Sequence, residues 1–409
     1  MDPGRSLPML GAVQEFPRLR NVLGYSWFVA EQNSRRHELK LFTCQACDNI
    51  VHFENCICGN CGHRLAYASE QERMVALESH AAGWRLINDP AIPRVLCSNA
   101  EFNACNWLVS PGSKETLCRA CRHNGTIPDL SEPHRVQAWR DLEQAKHRLF
   151  YTLIRWNLPL RTRQQDPDHG LIFHFLADDP AEDRKVMTGH ENGVITIALS
   201  EADDIERERR RLQMGEPYRT LLGHFRHEVG HHFWDMLVRD GGKLDACRAT
   251  FGDDSRDYAE ALKQHYAEGP PTNWQDSYVT AYATSHPWED FAETWAHYLH
   301  IVDTLEMAAN FGMQVAPAAD RIGGLCAKAD FDPYTAENFD AIVHSWLPFV
   351  FAINNVSRTM GLREIYPFVL SPTVIKKLNF IHNLVQEERR RCGTARFNRN
   401  QQRLELAGR

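Results

Sequence analysis

Apolar residues recur with a helical period between residues 131 and 157, where Val136, Trp139, Leu142, Leu149, Leu153 and Trp156 fall on one broad face. The pattern then changes. Residues 171–176 (LIFHFL) and 194–199 (VITIAL) are short, apolar and bounded by polar residues, as strands are. Residues 201–211 are almost wholly charged and read as an exposed helical face or a lid. A strong helical pattern occupies residues 217–238, with Pro217 suited to its first position. A second begins near Pro287 and passes Tyr298, and residues 335–391 read as further helices, with Ser371 and Pro372 as cap and first turn. Strands followed by helices predict an α+β fold with a small sheet and a mainly helical body.

The first part of the chain differs. Residues 1–39 show weak periodicity and read as a poorly ordered extension, or as an over-long start. Residues 40–130 carry short apolar stretches with many Gly and Asn, the composition of a small fold that depends on bound metal. The expected organisation is therefore an extension over 1–39, a cysteine-rich region over 40–130, a main domain over 131–312 and a C-terminal helical region over 313–409.

Composition narrows the classes. Hydrophobic residues make up 43% of the 409 and charged residues 24%, as in ordinary globular proteins. The net charge of −7 and the scattered Lys and Arg disfavour a nucleic-acid surface. The longest apolar run, residues 346–353, contains Pro348 and is too short to cross a bilayer. The first residues lack a basic start followed by an apolar stretch, so a cytoplasmic location is expected. The residues alone say nothing of oligomeric state.

Nine of the 12 cysteines lie between Cys44 and Cys121. Cys44-x2-Cys47 and Cys58-x2-Cys61 form two knuckles, each able to cover one edge of a zinc tetrahedron. Gly59 and Gly62 flank the second knuckle and permit its tight turn. Cys56 is a bystander that could compete with Cys58. Cys97, Cys105, Cys118 and Cys121 make a second, less regular set of four, in which His123 could substitute for a cysteine. Neither set leaves an open coordination position, so both predict structural zinc.

The chemistry concentrates in His227-Glu228-Val229-Gly230-His231. On a helix, residues four apart share a face, so both imidazoles can bind one metal, and Glu228 beside them can take a proton from the attacking water. A catalytic zinc wants a third protein ligand and an open position. Position 237 is Leu and position 234 is Trp, which rules out a histidine six residues after His231. Downstream, Glu289 and Glu293 lie four apart on one helical face. Glu289 can be the ligand while Glu293 orients an imidazole, or the two can exchange roles. Tyr282, seven residues before Glu289, could donate to the oxyanion, with Tyr278 as a second candidate. His224, His232, His286 and His297 crowd the region as ordinary partners or caps. His232 points about 100° from His231 and should not reach the same metal.

These motifs resemble a bacterial family of zinc-binding metallopeptidases that carries an N-terminal zinc ribbon. The matching stretches include LFTCQACDNIVHFEN, CRACRHNGTIPDLSEP, GEPYRTLLGHFRHEVGHHFWD and AYATSHPWEDFAETWAHYLHIVDTLE, and the match runs from about Lys40 to about Gly312. The catalytic part is similar to the gluzincin class. That resemblance implies Glu289 as zinc ligand, Glu293 as the acidic residue behind it and Tyr282 as a catalytic tyrosine. It also implies an extended substrate laid along a sheet edge, which would be residues 194–199. The expectation is a zinc-dependent peptidase acting on an intracellular protein or peptide, with one catalytic and one or two structural zinc ions and no membrane contact. The rival is a zinc-ribbon adaptor that has lost activity, and the intact Glu228 argues against it.

Overall fold

Short strands come first, in keeping with the Gly- and Asn-rich start. The computed structural model describes residues 41–81, 83–178, 186–213 and 216–407, with side chains through residue 394, so the extension over 1–39 lies outside the described residues. Strands β1 (Leu41–Thr43) and β2 (Ile50–His52) form a hairpin that brings Cys44 and Cys47 to its turn. A four-stranded antiparallel meander follows, β3 (Arg64–Ala68), β4 (Arg73–His80), β5 (Gly83–Leu86) and β6 (Asp89–Arg94), in that order. This is a zinc ribbon placed ahead of a mostly helical body, so the α+β reading of the sequence holds.

The ribbon is docked on α1 (Pro133–Arg155), whose Trp139, Leu142, Leu149 and Leu153 are fully buried. One apolar cluster runs without a break from Phe42 of the ribbon through α1 to Val385 near the C-terminus. Polar links cross the same seam. Arg148 pairs with Glu54 at 2.6 Å, and Arg155 reaches Glu72 at 3.4 Å and Asp332 at 3.1 Å. Tyr151 donates to Glu306 at 2.6 Å, both buried, and Tyr334 and Thr152 donate to Asp303 at 2.5 and 2.8 Å.

Behind α1 lies a three-stranded sheet. Strand β7 (Ile172–Leu176) runs parallel to β9 (Val194–Ala198), and β8 (Gly189–Glu191) pairs antiparallel with β9 on its other side. The order is β7-β9-β8, so the strand expected to be a free edge is central. The sequence signal for β9 was its apolar run, which marks a strand covered on both sides. The short polar β8 carries no such run and is the outer strand on that side among the described residues.

The charged stretch after β9 is helix α2 (Asp204–Gln213), knitted by i,i+3 and i,i+4 pairs such as Arg210–Glu206. The next helix, α3 (Leu221–Trp234), begins four residues later than Pro217 would place it. Thr220 is extended, with φ −126° and ψ 153°, and its hydroxyl accepts from the Gly223 amide at 3.0 Å, so the cap overrides the proline. Phe225, Val229 and Phe233 form the buried stripe of α3, which leaves His227 and His231 on a neighbouring flank that meets Glu289. A single π turn, residues 235–239, closes it.

Two short helices, α4 (Leu244–Phe251) and α5 (Tyr258–Glu268), lead to α6 (Pro287–Asn310). Pro287 opens α6 and His286 caps it by accepting from the Trp288 amide at 3.1 Å. Helices α3 and α6 cross closely at Gly230. A Cβ there would stand 3.1 Å from the Ala292 Cα and 3.2 Å from the Trp295 ring. Beyond residue 312, a two-strand pair of β10 (Gln314–Val315) and β11 (Ala327–Lys328) precedes α7 (Phe339–Thr359) and α8 (Pro372–Ala407). Phe339, Trp346, Val374 and Leu378 join the same cluster as α6, so the core does not end at the boundary drawn at 312.

Candidate metal centre

Helix α3 presents His227 and His231 one turn apart, and the first turn of α6 points Glu289 between them. The two Nε2 atoms are 3.2 Å apart. Glu289 Oε2 lies 3.0 Å from His227 Nε2 and 3.5 Å from His231 Nε2. A tetrahedron built on zinc bonds of about 2.0–2.1 Å has edges of about 3.3 Å, so these three atoms outline one face of such a site. Glu289 is 1% exposed, and its Oε2 lies against the two imidazoles without a well-aligned hydrogen bond. A buried carboxylate oxygen facing two imidazole nitrogens is a donor set that suits zinc.

Glu293 stands behind the site. Its Oε1 is 2.6 Å from His227 Nδ1, and its Oε2 accepts from Thr280 at 2.7 Å. Of the two carboxylates that sequence left interchangeable, Glu289 therefore faces the Nε2 atoms of both imidazoles and Glu293 the rear of one ring. His231 is held differently, with its ring packed on Trp288 at 3.8 Å between centroids.

Burial is the main influence on the charges here. It raises the Glu228 carboxyl above the usual carboxylate range, against the pull of His227 and His231. Burial alone would lower His227, but its bonds to Glu289 and Glu293 outweigh that and raise it well above the usual value. Glu289 is lowered well below its ordinary value because the His231 and His227 interactions overcome its burial. A metal ion bound here would compete with a proton on His227.

Tyr282 is half-buried, with its ring 6.0 Å from that of His227. Tyr278 is elsewhere, its ring lying 4.2 Å beneath the Lys377 ammonium. Neither His297 nor His224 is turned to the centre: His297 meets Tyr366 at 2.8 Å, and His224 meets Glu201 at 3.0 Å. His232 is buried against Phe233. Two neighbours carry no sequence signal. The Tyr258 hydroxyl, from α5, donates to Glu289 Oε1 at 2.6 Å, and His190 on β8 stacks 6.0 Å from His231.

The cysteines form two further groups. Cys44 lies 3.7 Å from Cys61 and Cys47 3.7 Å from Cys58, sulfur to sulfur. Zinc–sulfur bonds of about 2.3 Å give edges of about 3.8 Å, so this set fits. Cys97, Cys105, Cys118 and Cys121 are all buried and form the second group, with Cys105 and Cys118 also 3.7 Å apart. Amides of Trp107, Cys118 and Cys121 donate to its sulfurs. His123 is not part of it. Its Nδ1 meets the Leu171 carbonyl at 2.9 Å, and burial lowers it to about 3. The histidine present is His147 on α1, with Nε2 3.3 Å from Cys105 and 3.5 Å from Cys121. Cys56, half-buried, stands apart from both groups.

A cysteine-rich zinc ribbon ahead of a helical body with a His-His-Glu cluster defines a class of zinc-binding proteins with peptidase architecture. Residues 135–384, more than half of the chain, match the family described as "Putative zinc-binding metallo-peptidase", and the chain belongs to that family. Residues 41–132 match a zinc-ribbon domain. Relatives in Mycobacterium tuberculosis (strain H37Rv) and Mycobacterium bovis are each 42% identical over 347 residues, covering 85% of this chain and 95% of theirs, and both are described as uncharacterized proteins. No solved structure matches the chain. Among the described residues, no helix is long and apolar enough to cross a membrane.

Proposed function

We propose that this protein is a gluzincin-like zinc peptidase that cleaves an extended protein or peptide substrate. One observation carries the reading: His227, His231 and Glu289 offer three donor atoms at the edge lengths of a zinc tetrahedron, with Glu228 on the same helix. Zinc held there would polarise a carbonyl and lower the pKa of water towards neutrality. Glu228 takes the proton of the attacking water, a role suited by its raised carboxyl, and returns it to the leaving nitrogen. Tyr282, beside His227, donates to the oxyanion that forms on the scissile carbonyl. Glu293 holds the His227 ring in its tautomer.

The substrate pairs with the edge strand β8 rather than with β9, whose two sides are taken. Each cysteine group holds one structural zinc, giving three per chain with the catalytic ion. Cysteines left free around metal-type clusters fit a reducing compartment, so we place the enzyme in the cytoplasm. The deciding experiment compares wild type with Glu228→Gln on a denatured-protein mixture while zinc content is counted. Equal hydrolysis by both, at equal zinc, refutes the peptidase reading.

A further inference from the structure

The Tyr258 phenol makes one of the shortest contacts around the centre, and the proposed chemistry assigns it no task. Its hydroxyl donates to Glu289 Oε1 at 2.6 Å, while the other oxygen of the same carboxylate, Oε2, faces His227 and His231 at 3.0 and 3.5 Å. One carboxylate is thus divided between a phenol and the pair of imidazoles. An O–H···O⁻ bond of about 2.5–2.7 Å is charge-assisted and strong, and it occupies the lone pair that a second metal bond would need. From this we propose that Tyr258 is a positioning residue that limits Glu289 to ligation through one oxygen, and so keeps a coordination position open for water and substrate. The inference rests on His227, His231 and Glu289 forming the catalytic zinc site.

The surroundings fit that task. Tyr258 is the first residue of α5, a helix fixed by Asp257, whose carboxylate accepts from the Glu260 amide at 2.8 Å. The phenol ring is wedged between His286, 5.4 Å away, and Trp288, 5.6 Å away, both edge-on. Those two residues open α6 immediately before Glu289, so the ring and the carboxylate it grips are set by the same turn. Tyr258 is also 37% exposed, so its outer edge reaches solvent. Tyr282 lies beside the His227 ring and within hydrogen-bond reach of the Tyr258 hydroxyl. The two phenols therefore divide the work: Tyr258 acts on the ligand, and Tyr282 on the substrate.

Without the hydroxyl, Glu289 Oε1 is free to swing onto the metal. The carboxylate becomes bidentate, the open position shrinks and the one-oxygen geometry set by the phenol is lost. Partners that orient a ligand are worth about 10–100-fold in metal affinity or activity when removed.

The test uses the full chain and the variant Tyr258→Phe, which keeps the ring packing and removes only the donor. Zinc affinity is measured by competition with a chelator, and cobalt is then loaded in place of zinc and its visible absorption recorded. The expected result is at least a tenfold weaker catalytic-site affinity, with a cobalt spectrum shifted towards higher coordination number and lower intensity. Retention of the two cysteine-held ions in Tyr258→Phe reports an intact fold. Affinity within twofold of wild type and an unchanged spectrum overturn the proposal. Separately, His227→Ala that retains as much zinc as wild type overturns the underlying site, so the two failures cannot be confused.

Discussion

Replacing Lys377 by Met should destabilise the helical body in a way that depends on pH. Lys377 on α8 reaches Asp290 at 2.6 Å and the Ser277 carbonyl at 2.6 Å, and the Asp290 side chain is fully buried. Burial pushes the Asp290 carboxyl up to about 7, even though Lys377 pulls the other way. Relative to an unfolded value near 3.8, a rise of about 3 units corresponds to about 4 kcal/mol of cost. Because the folded value is raised, the cost is absent below the unfolded pKa, grows as pH climbs and levels off above the folded pKa. Losing the ammonium lifts the folded value further, so the cost continues to grow above pH 7. Breaking one partner of a buried pair costs about 3–5 kcal/mol. We therefore expect Lys377→Met to lose about 1 kcal/mol at about pH 6, where Asp290 is largely protonated, and about 3 kcal/mol at about pH 8.5. Urea unfolding of the zinc-saturated protein followed by far-UV circular dichroism reads both values. Asp290→Asn combined with Lys377→Met should remove the pH dependence and recover most of the loss at high pH. A cost that is flat with pH, or a double variant no more stable than the single, would refute the reasoning.

Other outcomes follow from the same geometry. Glu293→Gln removes the charged acceptor from His227 Nδ1 and should weaken catalytic zinc binding by about 10–100-fold in chelator competition, while both cysteine centres keep their metal. Glu201 is buried beside Arg210, Arg219 and His224, and these partners outweigh its burial and hold its carboxyl down to about 2. A lowered folded value means stability that is complete above the unfolded pKa near 4.5 and lost as pH falls towards 2. Glu201→Gln should therefore cost about 2–3 kcal/mol at neutral pH, and its gap from wild type in urea midpoint should shrink below pH 4.5. Cys118→Ser should be worse tolerated than Cys61→Ser in limited proteolysis, since Cys118 is buried in the seam with α1 whereas Cys61 is partly exposed.

Local rules carried much of the site and long-range contacts carried the rest. Four-residue spacing on a helix is enough to put His227 beside His231, and to put Glu289 and Glu293 on one face. The strand runs 171–176 and 194–199 were legible from apolar content, but their order was not, because nothing within β9 says that β8 folds back onto it. Tyr258 sits 31 residues before the carboxylate it touches, in a segment of no distinct period, so no pattern pointed to it. The same holds for His147, which reaches Cys105 from 42 residues away, while His123 looked nearer along the chain and is turned to Leu171. Helix starts failed where a side chain decides: Thr220 sets the first turn of α3 and Pro217 does not.

The fourth residue of the motif, Gly230, acts as a ruler. Because bare backbone at that point touches Ala292, the half of the site on α3 and the half on α6 are spaced by the thickness of a missing methyl group. An alanine here would be invisible to any inventory of ligands, yet a shift of a few tenths of an ångström would act along the line joining the imidazoles to Glu289. The meeting of the imidazoles with Glu289 is thus a matter of how closely two rods can lie, and a pattern search that allows any residue at that position overlooks the one that sets the gap.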